Sequence, residues 1–279
     1  MTIHLNRRSV IQAGLGSILT PSMILGEPLE DPNRKLVLVE LFTSQGCDLC
    51  PDAERLIGRL LEEERKSNDR IAVLAWHVDY FNRPWPDPFS DTRFSRRQMA
   101  YHEVFTKTQP EFMKTAENGL YFTPMLMIDG RTPMLANNKP ETLRKVKNAI
   151  TAARRKSPDL QLRFEFKEQG SELQVDLNKM AKKGRLSNSP KDFLVCASCV
   201  QKTASTKVES GENAGKSLVE HSIVRDFVFQ TWSPEEKATV RLNPKPPAGV
   251  KTSELNCVAF LQDPSTGAIL QSFQAPWKA

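Results

Sequence analysis

The sequence lacks the patterns that mark several common classes of protein. Its apolar stretch near the amino terminus is too short for an ordinary membrane span. Its short basic clusters contain no interleaved aromatic residues, so the net charge of +6 does not indicate nucleic-acid binding. Residues 211–217 have only three residues between their glycines and follow no buried strand, which excludes a phosphate-binding loop. These exclusions leave a globular protein, 39% hydrophobic, whose five cysteines are its most informative residues.

Cys47 and Cys50 form a Cys-x-x-Cys motif between an apolar run at 36–42 and a helical pattern at 52–61. Two thiols at this spacing at the start of a helix can close and reopen a Cys47–Cys50 disulfide, so the pair can exchange electrons with other disulfides. Unpaired amides and the helix dipole favour a thiolate on Cys47. Cys50 lies inside the turn, where it can resolve a mixed disulfide.

Two other interpretations of this pair are a structural disulfide and half of a zinc site. Zinc needs two more ligands at similar spacing, and none follow nearby. A second motif, Thr123-Pro124, favours the redox interpretation because it stands directly before a strand pattern at 125–130. Together the two motifs resemble a thioredoxin active site, in which such a proline is commonly cis and faces the dithiol.

The chain resembles a known family in five segments. They are residues 39–47, 50–51, 77–80, 123–124 and 211–213. These segments are similar to the exported thioredoxin-like family known as domain of unknown function 1223, over nearly the whole mature chain. The resemblance implies a thioredoxin-like fold, Cys47 and Cys50 as catalytic thiols, and Thr123-Pro124 as the substrate-binding loop. The chain departs from the family pattern at Asp48, an acid that opposes a thiolate on Cys47.

The chain is expected to contain three segments. Residues 1–26 are predicted to be an export signal, in which Arg7-Arg8 resembles a twin-arginine signal. Residues 33–156 alternate strand and helix patterns, as an α/β thioredoxin-like domain does. From residue 158 the apolar period changes to two, which predicts a β-rich, sandwich-like domain over 158–279. The protein is therefore expected in the periplasm or outside the cell, with membrane contact only if the signal stays uncleaved.

Three polar residues are candidates to support the dithiol. Glu40 is buried by pattern on the first strand, where it could accept a proton from the second thiol. The alternative is a structural carboxylate satisfied by a neighbour. His77 and Asp79 stand at a strand end near the expected dithiol and are possible modulators, although a hydrogen-bonded structural histidine is also consistent with the pattern. Trp85 and Phe89 either line a rim for a substrate peptide or cap the core.

Cys196, Cys199 and Cys257 all fall within predicted strands. Positions three apart on a strand face opposite sides, so Cys196 and Cys199 do not repeat the helical dithiol. Either Cys196 or Cys199 is expected to pair with Cys257, which leaves one thiol free. A copper or zinc site built from these three is a weaker alternative because no histidine is close in sequence.

The sequence therefore predicts an exported thiol-disulfide oxidoreductase that needs no cofactor and no metal. Its partners would be protein or peptide thiols and disulfides, together with a second protein that restores its redox state. The alternative is a non-catalytic binding module of the same fold, in which the thiolates hold Cu(I) or the β-rich part contacts a partner protein.

Overall fold

The computed structural model describes residues 36–67, 71–116, 119–155, 163–166, 173–176, 192–233 and 239–277. The predicted export signal at 1–26 and the predicted boundary at 156–158 lie outside these residues. In chain order the helices and strands are β1 (Val37–Thr43), α1 (Cys50–Ser67), β2 (Ile71–His77), α2 (Thr92–Thr108), α3 (Pro110–Thr115), β3 (Met125–Ile128), β4 (Thr132–Leu135), α4 (Pro140–Arg154), β5 (Arg163–Phe166), β6 (Leu173–Asp176), β7 (Phe193–Lys207), β8 (Ser217–Trp232), β9 (Thr239–Leu242), β10 (Leu255–Gln262) and β11 (Ile269–Pro276).

The architecture is mixed α/β and is built on an eight-stranded sheet. The strand order is β11-β10-β7-β8-β2-β1-β3-β4. Strand β1 pairs in parallel with β2, from Val37 opposite Ile71 to Thr43 opposite His77, and it pairs antiparallel with β3. Every residue of β1 and β2 is buried because helices or strands cover both faces, which explains their nearly continuous apolar sequences.

The alternation of side chains along β1 divides the core between the two faces of the sheet. Val37, Val39 and Leu41 pack against α1 and α4. Leu38 and Phe42 point to the other face, where they pack with the aromatic residues of α2. Thr43 has the same parity as the first group, so the end of β1 presents it on the α1 face.

The carboxyl-terminal strands do not form the separate domain that the sequence suggested. Strands β7, β8, β10 and β11 extend the amino-terminal sheet, and β8 lies parallel to β2 with Ile223 opposite Ala75. By their contacts, the described residues from 36 to 277 group into a single unit. The physical reason is that β2 has a pairing edge of its own, and the long β7–β8 hairpin fills it.

A smaller sheet of three strands, in the order β5-β6-β9, accompanies the large one. Val240 and Leu242 of β9 pack against Phe193 and Val195 of β7. The small sheet thus packs against carboxyl-terminal strands of the large sheet, which also contains the amino-terminal strands. Within the part of the chain described, no helix is both long and apolar enough to cross a membrane.

Candidate functional site

The dithiol lies in the loop between β1 and α1. The helix begins at Cys50, so Cys47 stands three residues before it and not in its first turn as the sequence suggested. Both thiols are buried: Cys47 is 3% exposed and Cys50 is 1% exposed. Between them, Asp48 and Leu49 are exposed to solvent. Water therefore screens the charge of Asp48, which weakens its effect on Cys47.

The two thiols differ strongly in acidity. A hydrogen bond from the Cys50 thiol is the main reason that the pKa of Cys47 falls to about 7, against the opposing effect of burial; the Thr123 side chain and the amides of Leu49 and Cys50 also lower it. Burial and the neighbouring Cys47 raise the pKa of Cys50 well above its ordinary value. Cys47 is thus the thiol that ionises near neutral pH, and Cys50 is the one that keeps its proton.

The predicted Thr123-Pro124 loop lies against the dithiol. The Thr123–Pro124 peptide bond is cis, and the Thr123 carbonyl oxygen is 3.9 Å from the Cys47 sulfur. Pro124 is buried, and its carbonyl oxygen accepts a hydrogen bond from the amide of Ala136 at 3.0 Å. The fold thus brings together two motifs that are 76 residues apart in the sequence.

Glu40 is not beside the dithiol, which corrects the role predicted for it. Its side chain lies on the face of the sheet opposite α1, where Arg97 forms an ion pair with it at 3.0 Å. Trp76 donates its indole hydrogen to the same carboxylate at 3.1 Å, and Tyr101 donates its hydroxyl hydrogen. The physical reason is the parity of β1, because residue 40 points away from the face on which Thr43 and α1 lie. Glu40 is therefore the structural carboxylate that the sequence left as the alternative.

His77 and Asp79 occupy different surroundings at the end of β2. His77 is buried, and its Nδ1 lies 2.8 Å from a carboxylate oxygen of Asp87. Burial lowers the pKa of His77, but Asp87 and two nearby glutamates outweigh this effect, so that the pKa is raised. Asp79 accepts a hydrogen bond from the hydroxyl of Ser95 in α2. Of these two residues, His77 belongs to a group of buried titratable residues near the second thiol.

That group includes two glutamates that the sequence analysis missed. Glu54 is on α1, one turn beyond Cys50, and Glu220 is on β8; they are 5% and 1% exposed. We call Glu54, His77, Asp87 and Glu220 the acid cluster. Within the part of the chain that the structure describes, three of its buried atoms have no hydrogen-bond partner: Glu54 Oε1, His77 Nε2 and Glu220 Oε2. Such atoms are rare in folded proteins and often mark functional sites.

Both glutamates hold their protons more tightly than an ordinary carboxyl. Burial, and to a smaller extent the charge of Glu220, raise the pKa of Glu54 to about 8, although His77 acts in the opposite direction. Burial likewise raises the pKa of Glu220 to about 7, again against the effect of His77. The two glutamates of the acid cluster therefore exchange protons near neutral pH.

A cavity of about 240 Å³ borders the acid cluster and the second thiol. Its lining includes Thr43, Cys50, Glu54, Glu220 and His221. The amide of His221 donates to Glu54 Oε2 at 3.4 Å, and the side-chain amide of Gln45 donates to Glu220 Oε1 at 2.9 Å. In each carboxyl group, one oxygen thus accepts a hydrogen bond, and the other oxygen remains available to bind or release a proton.

The tip of the β7–β8 hairpin covers the dithiol loop. Asn213 is fully buried, and its side-chain amide donates to the carbonyl oxygens of Gln45 and Cys47 at 2.8 and 2.9 Å. Glu212 accepts a hydrogen bond from the amide of Asp48 at 3.1 Å. Sequence analysis connected the segment 211–213 with the family resemblance alone. In the structure it supports the loop that carries Cys47.

Trp85 and Phe89 have structural contacts near the site. The indole of Trp85 donates to the side chain of Gln45 at 2.9 Å, and the side chain of Trp85 is partly exposed. Phe89 packs edge-on against His77 with ring centroids 5.3 Å apart. Phe89 thus supports the acid cluster from outside, and Trp85 lies where the dithiol loop meets solvent.

The three other cysteines are separated by the two faces of the sheet. Cys199 lies opposite Cys257 in the β7–β10 ladder, and both contribute to the core beside the small sheet. Cys196 lies opposite Phe260 and belongs to the core on the α2 face. All five cysteines are free thiols in this structure, so neither expected disulfide is formed in it. Of the two candidate partners for Cys257, the register favours Cys199.

Comparison with known proteins identifies a family and two similar structures. The family model described as protein of unknown function (DUF1223) matches residues 38–262. A crystal structure of an Agrobacterium tumefaciens protein is similar with a TM-score of 0.57 and 22% identity, covering 85% of this chain and 92% of that one. HBP35 of Porphyromonas gingivalis is similar with a TM-score of 0.59 and 14% identity, covering 88% and 76%. Comparison with curated proteins gave no match.

Proposed function

Given that this chain belongs to the DUF1223 family, we propose that it is a thiol-disulfide oxidoreductase that acts outside the cytoplasm. The observation that carries the proposal is the placement of the pair: the Cys47 sulfur lies 3.9 Å from the Thr123 carbonyl oxygen, and a hydrogen bond from the Cys50 thiol lowers the pKa of Cys47. A thiol-disulfide exchange enzyme needs one thiol that attacks the substrate disulfide and a second thiol that then resolves the mixed disulfide.

We further propose that residues 33–156 are a thioredoxin-like unit within the larger sheet. Three features support this assignment. Strand β1 lies between parallel β2 and antiparallel β3, with β4 at the edge. Helices α1 and α4 cover one face, and α2 covers the other. The Cys-x-x-Cys motif stands at the start of α1, beside the loop of Thr123 and Pro124.

In the proposed reaction, the Cys47 thiolate attacks one sulfur of a substrate disulfide. A bond forms between the two sulfurs, and the other substrate sulfur leaves as a thiolate that takes a proton from solvent. Cys50 then loses its proton and attacks the Cys47 sulfur, which releases the second substrate thiol and leaves a Cys47–Cys50 disulfide. The substrate gains two electrons and the protein loses them; the reverse sequence oxidises a dithiol substrate.

The surroundings of Cys47 can hold an extended substrate chain. The Thr123 carbonyl oxygen lies 3.9 Å from the thiol, so main-chain hydrogen bonds from a substrate strand can form there. Leu49 and Tyr121, which are 54% and 39% exposed, offer apolar surface on the dithiol loop and just before Thr123. A protein or peptide disulfide is therefore the proposed substrate, and a second redox protein is the proposed recycling partner.

A redox titration of the mature protein tests the proposal. The protein is equilibrated in thiol-disulfide buffers, its free thiols are alkylated, and mass spectrometry follows Cys47 and Cys50. We expect a reduction potential in the range of exchange enzymes, about −120 to −270 mV. The variant Cys50→Ser should form a stable mixed disulfide at Cys47, and Cys196→Ser serves as a matched control that titrates like the wild type.

Two results would contradict the proposal. A potential below about −300 mV would make the pair a structural disulfide. Thiols that never couple, together with stoichiometric Cu(I) bound after anaerobic reduction, would favour the binding module instead.

A further inference from the structure

The step that the proposed reaction leaves open is the loss of the Cys50 proton. Cys50 must become a thiolate before it can attack the mixed disulfide, yet it is 1% exposed. Burial and the neighbouring Cys47 raise the pKa of Cys50 well above the ordinary value of a thiol. At neutral pH, resolution therefore requires a base that the substrate does not supply.

Glu54 is placed to be that base. It follows Cys50 by one helical turn on α1, so the two side chains lie on the same face of the helix. Both line the cavity of about 240 Å³, and the side chain of Thr43, at the end of β1, lines it with them. The Thr43 hydroxyl lowers the pKa of both Cys50 and Glu54, and its oxygen is buried with no hydrogen-bond partner among the described residues.

Glu220 lines the same cavity and forms a pair of buried carboxyl groups with Glu54. The fold brings β8 next to α1, although Glu220 is 166 positions beyond Glu54 in the sequence. The charge of Glu220 helps to keep a proton on Glu54. Each carboxyl has one oxygen held by a hydrogen bond from a neighbour, while Glu54 Oε1 and Glu220 Oε2 are buried without a partner among the described residues.

We propose that Glu54, paired with Glu220, accepts the proton of the Cys50 thiol within the cavity that both residues line when Cys50 resolves the mixed disulfide. The proton passes from the Cys50 sulfur to the Glu54 carboxylate, the Cys50 sulfur attacks Cys47, and the substrate thiolate leaves. Glu54 then gives its proton to the cavity side, which restores the carboxylate. In the oxidising direction Glu54 returns the proton to Cys50. This inference rests on the proposed function.

Other charged groups set the conditions for this transfer. His77, which is paired with Asp87 at 2.8 Å, faces both glutamates and stabilises their ionised forms. The titratable and charged groups around Glu54 are Cys50 and Arg55 on α1, His77 on β2, Asp87 in the following loop, and Glu220 and His221 on β8. The pH dependence of resolution should therefore follow the acid cluster as a whole.

A chromogenic aromatic disulfide tests the inference in stopped flow. Attack by Cys47 releases one coloured thiolate, and attack by Cys50 on the mixed disulfide releases a second one. The first phase reports on the proposed function, and the second phase reports on Glu54. In the variant Glu54→Gln we expect an unchanged first phase and a second phase slowed by about 100-fold at neutral pH, as is typical for loss of a general base.

The pH profile separates a proton acceptor from a structural residue. In the wild type, the rate of the second phase should level off near pH 8, close to the pKa of Glu54. Glu220→Gln should move this midpoint to lower pH because a repelling carboxylate is removed. Glu54→Gln should give a rate that rises with pH without levelling off. The matched control is Glu64→Gln, which removes a half-buried acid of the same helix and should leave both phases unchanged.

Three outcomes would decide against the inference. A second phase in Glu54→Gln that matches the wild type in rate and pH profile would overturn the role of Glu54 and leave the oxidoreductase standing. An unchanged midpoint in Glu220→Gln would overturn the pairing with Glu220. A wild type with no second phase would overturn the proposed function itself, and with it this inference.

Discussion

Both faces of the sheet bury glutamates, but the hydrogen bonding of these side chains differs between the two faces. On the α2 face, Glu40 is surrounded by Arg97, Trp76 and Tyr101, which provide donors to both of its oxygens. On the α1 face, Glu54 and Glu220 each keep one buried oxygen without a hydrogen-bond partner among the described residues. A fully paired carboxylate stabilises a fold, whereas a partly paired one can exchange protons.

The largest effect is expected when the ion pair between Arg97 and Glu40 on the α2 face is broken. Arg97→Met leaves the Glu40 charge buried without its cation, so the free energy of unfolding should fall by about 3–5 kcal/mol, as measured by urea denaturation. Arg96→Met, at an exposed neighbouring position, is the control and should stay within about 0.5 kcal/mol of the wild type. Equal free energies of unfolding for the two variants would show that the ion pair between Arg97 and Glu40 does not stabilise the fold.

A smaller effect on the free energy of unfolding is expected for Glu54 on the α1 face, and this effect depends on pH. The folded-state pKa of Glu54, about 8, is higher than the ordinary 4.5. The folded protein therefore binds the extra proton, and the resulting stabilisation is present at low pH and lost as the pH rises through 8. Relative to Glu54→Gln, the wild type should lose about 2 kcal/mol of unfolding free energy between pH 6 and pH 8.

Glu54 also raises the pKa of His77, so the difference between the two proteins reports the titration of both groups. Urea denaturation of the wild type and Glu54→Gln at several pH values measures the effect. Stability curves that run parallel across this range would mean that Glu54 is already ionised at pH 6. That result would remove the contrast between the two faces.

The smallest effect concerns the cysteines that the two faces keep apart. Cys199 and Cys257 are neighbours across β7 and β10, whereas Cys196 points to the α2 face. Mild oxidation of the Cys47→Ser, Cys50→Ser double variant, followed by peptide mapping, should therefore give a Cys199–Cys257 disulfide and leave Cys196 as a thiol. A Cys196–Cys257 disulfide would require β7 to turn over and would contradict the register.

The local parts of the site could be predicted from the sequence. Cys47, Cys50 and the Thr123-Pro124 loop are each defined by short motifs, and the structure places the loop 3.9 Å from Cys47. Glu54 was equally accessible in principle, because its spacing of four from Cys50 puts both on one helix face. It was overlooked because an acid on an amphipathic helix is normally at the surface.

The long-range parts could not be predicted. Alternation along the carboxyl-terminal segment predicts strands, but it does not say which sheet edge they join. That choice decides the position of Glu220 and Asn213, both of which reach the site from the β7–β8 hairpin. Glu40 was misplaced for a related reason: the parity of β1 is visible in the sequence, but the face covered by α1 is not.

Because β2 pairs with β8, the amino-terminal half of the chain would not keep the complete site if it were produced alone. A fragment that ends near residue 156 would lose Asn213 and Glu220 together, and with them the clamp on the Cys47 loop and one half of the carboxyl pair. It would also expose the backbone of β2 as an open edge ready to join another chain. The proposed redox centre therefore needs residues from both halves of the polypeptide, and it cannot be transferred to another protein with the Cys-x-x-Cys half alone.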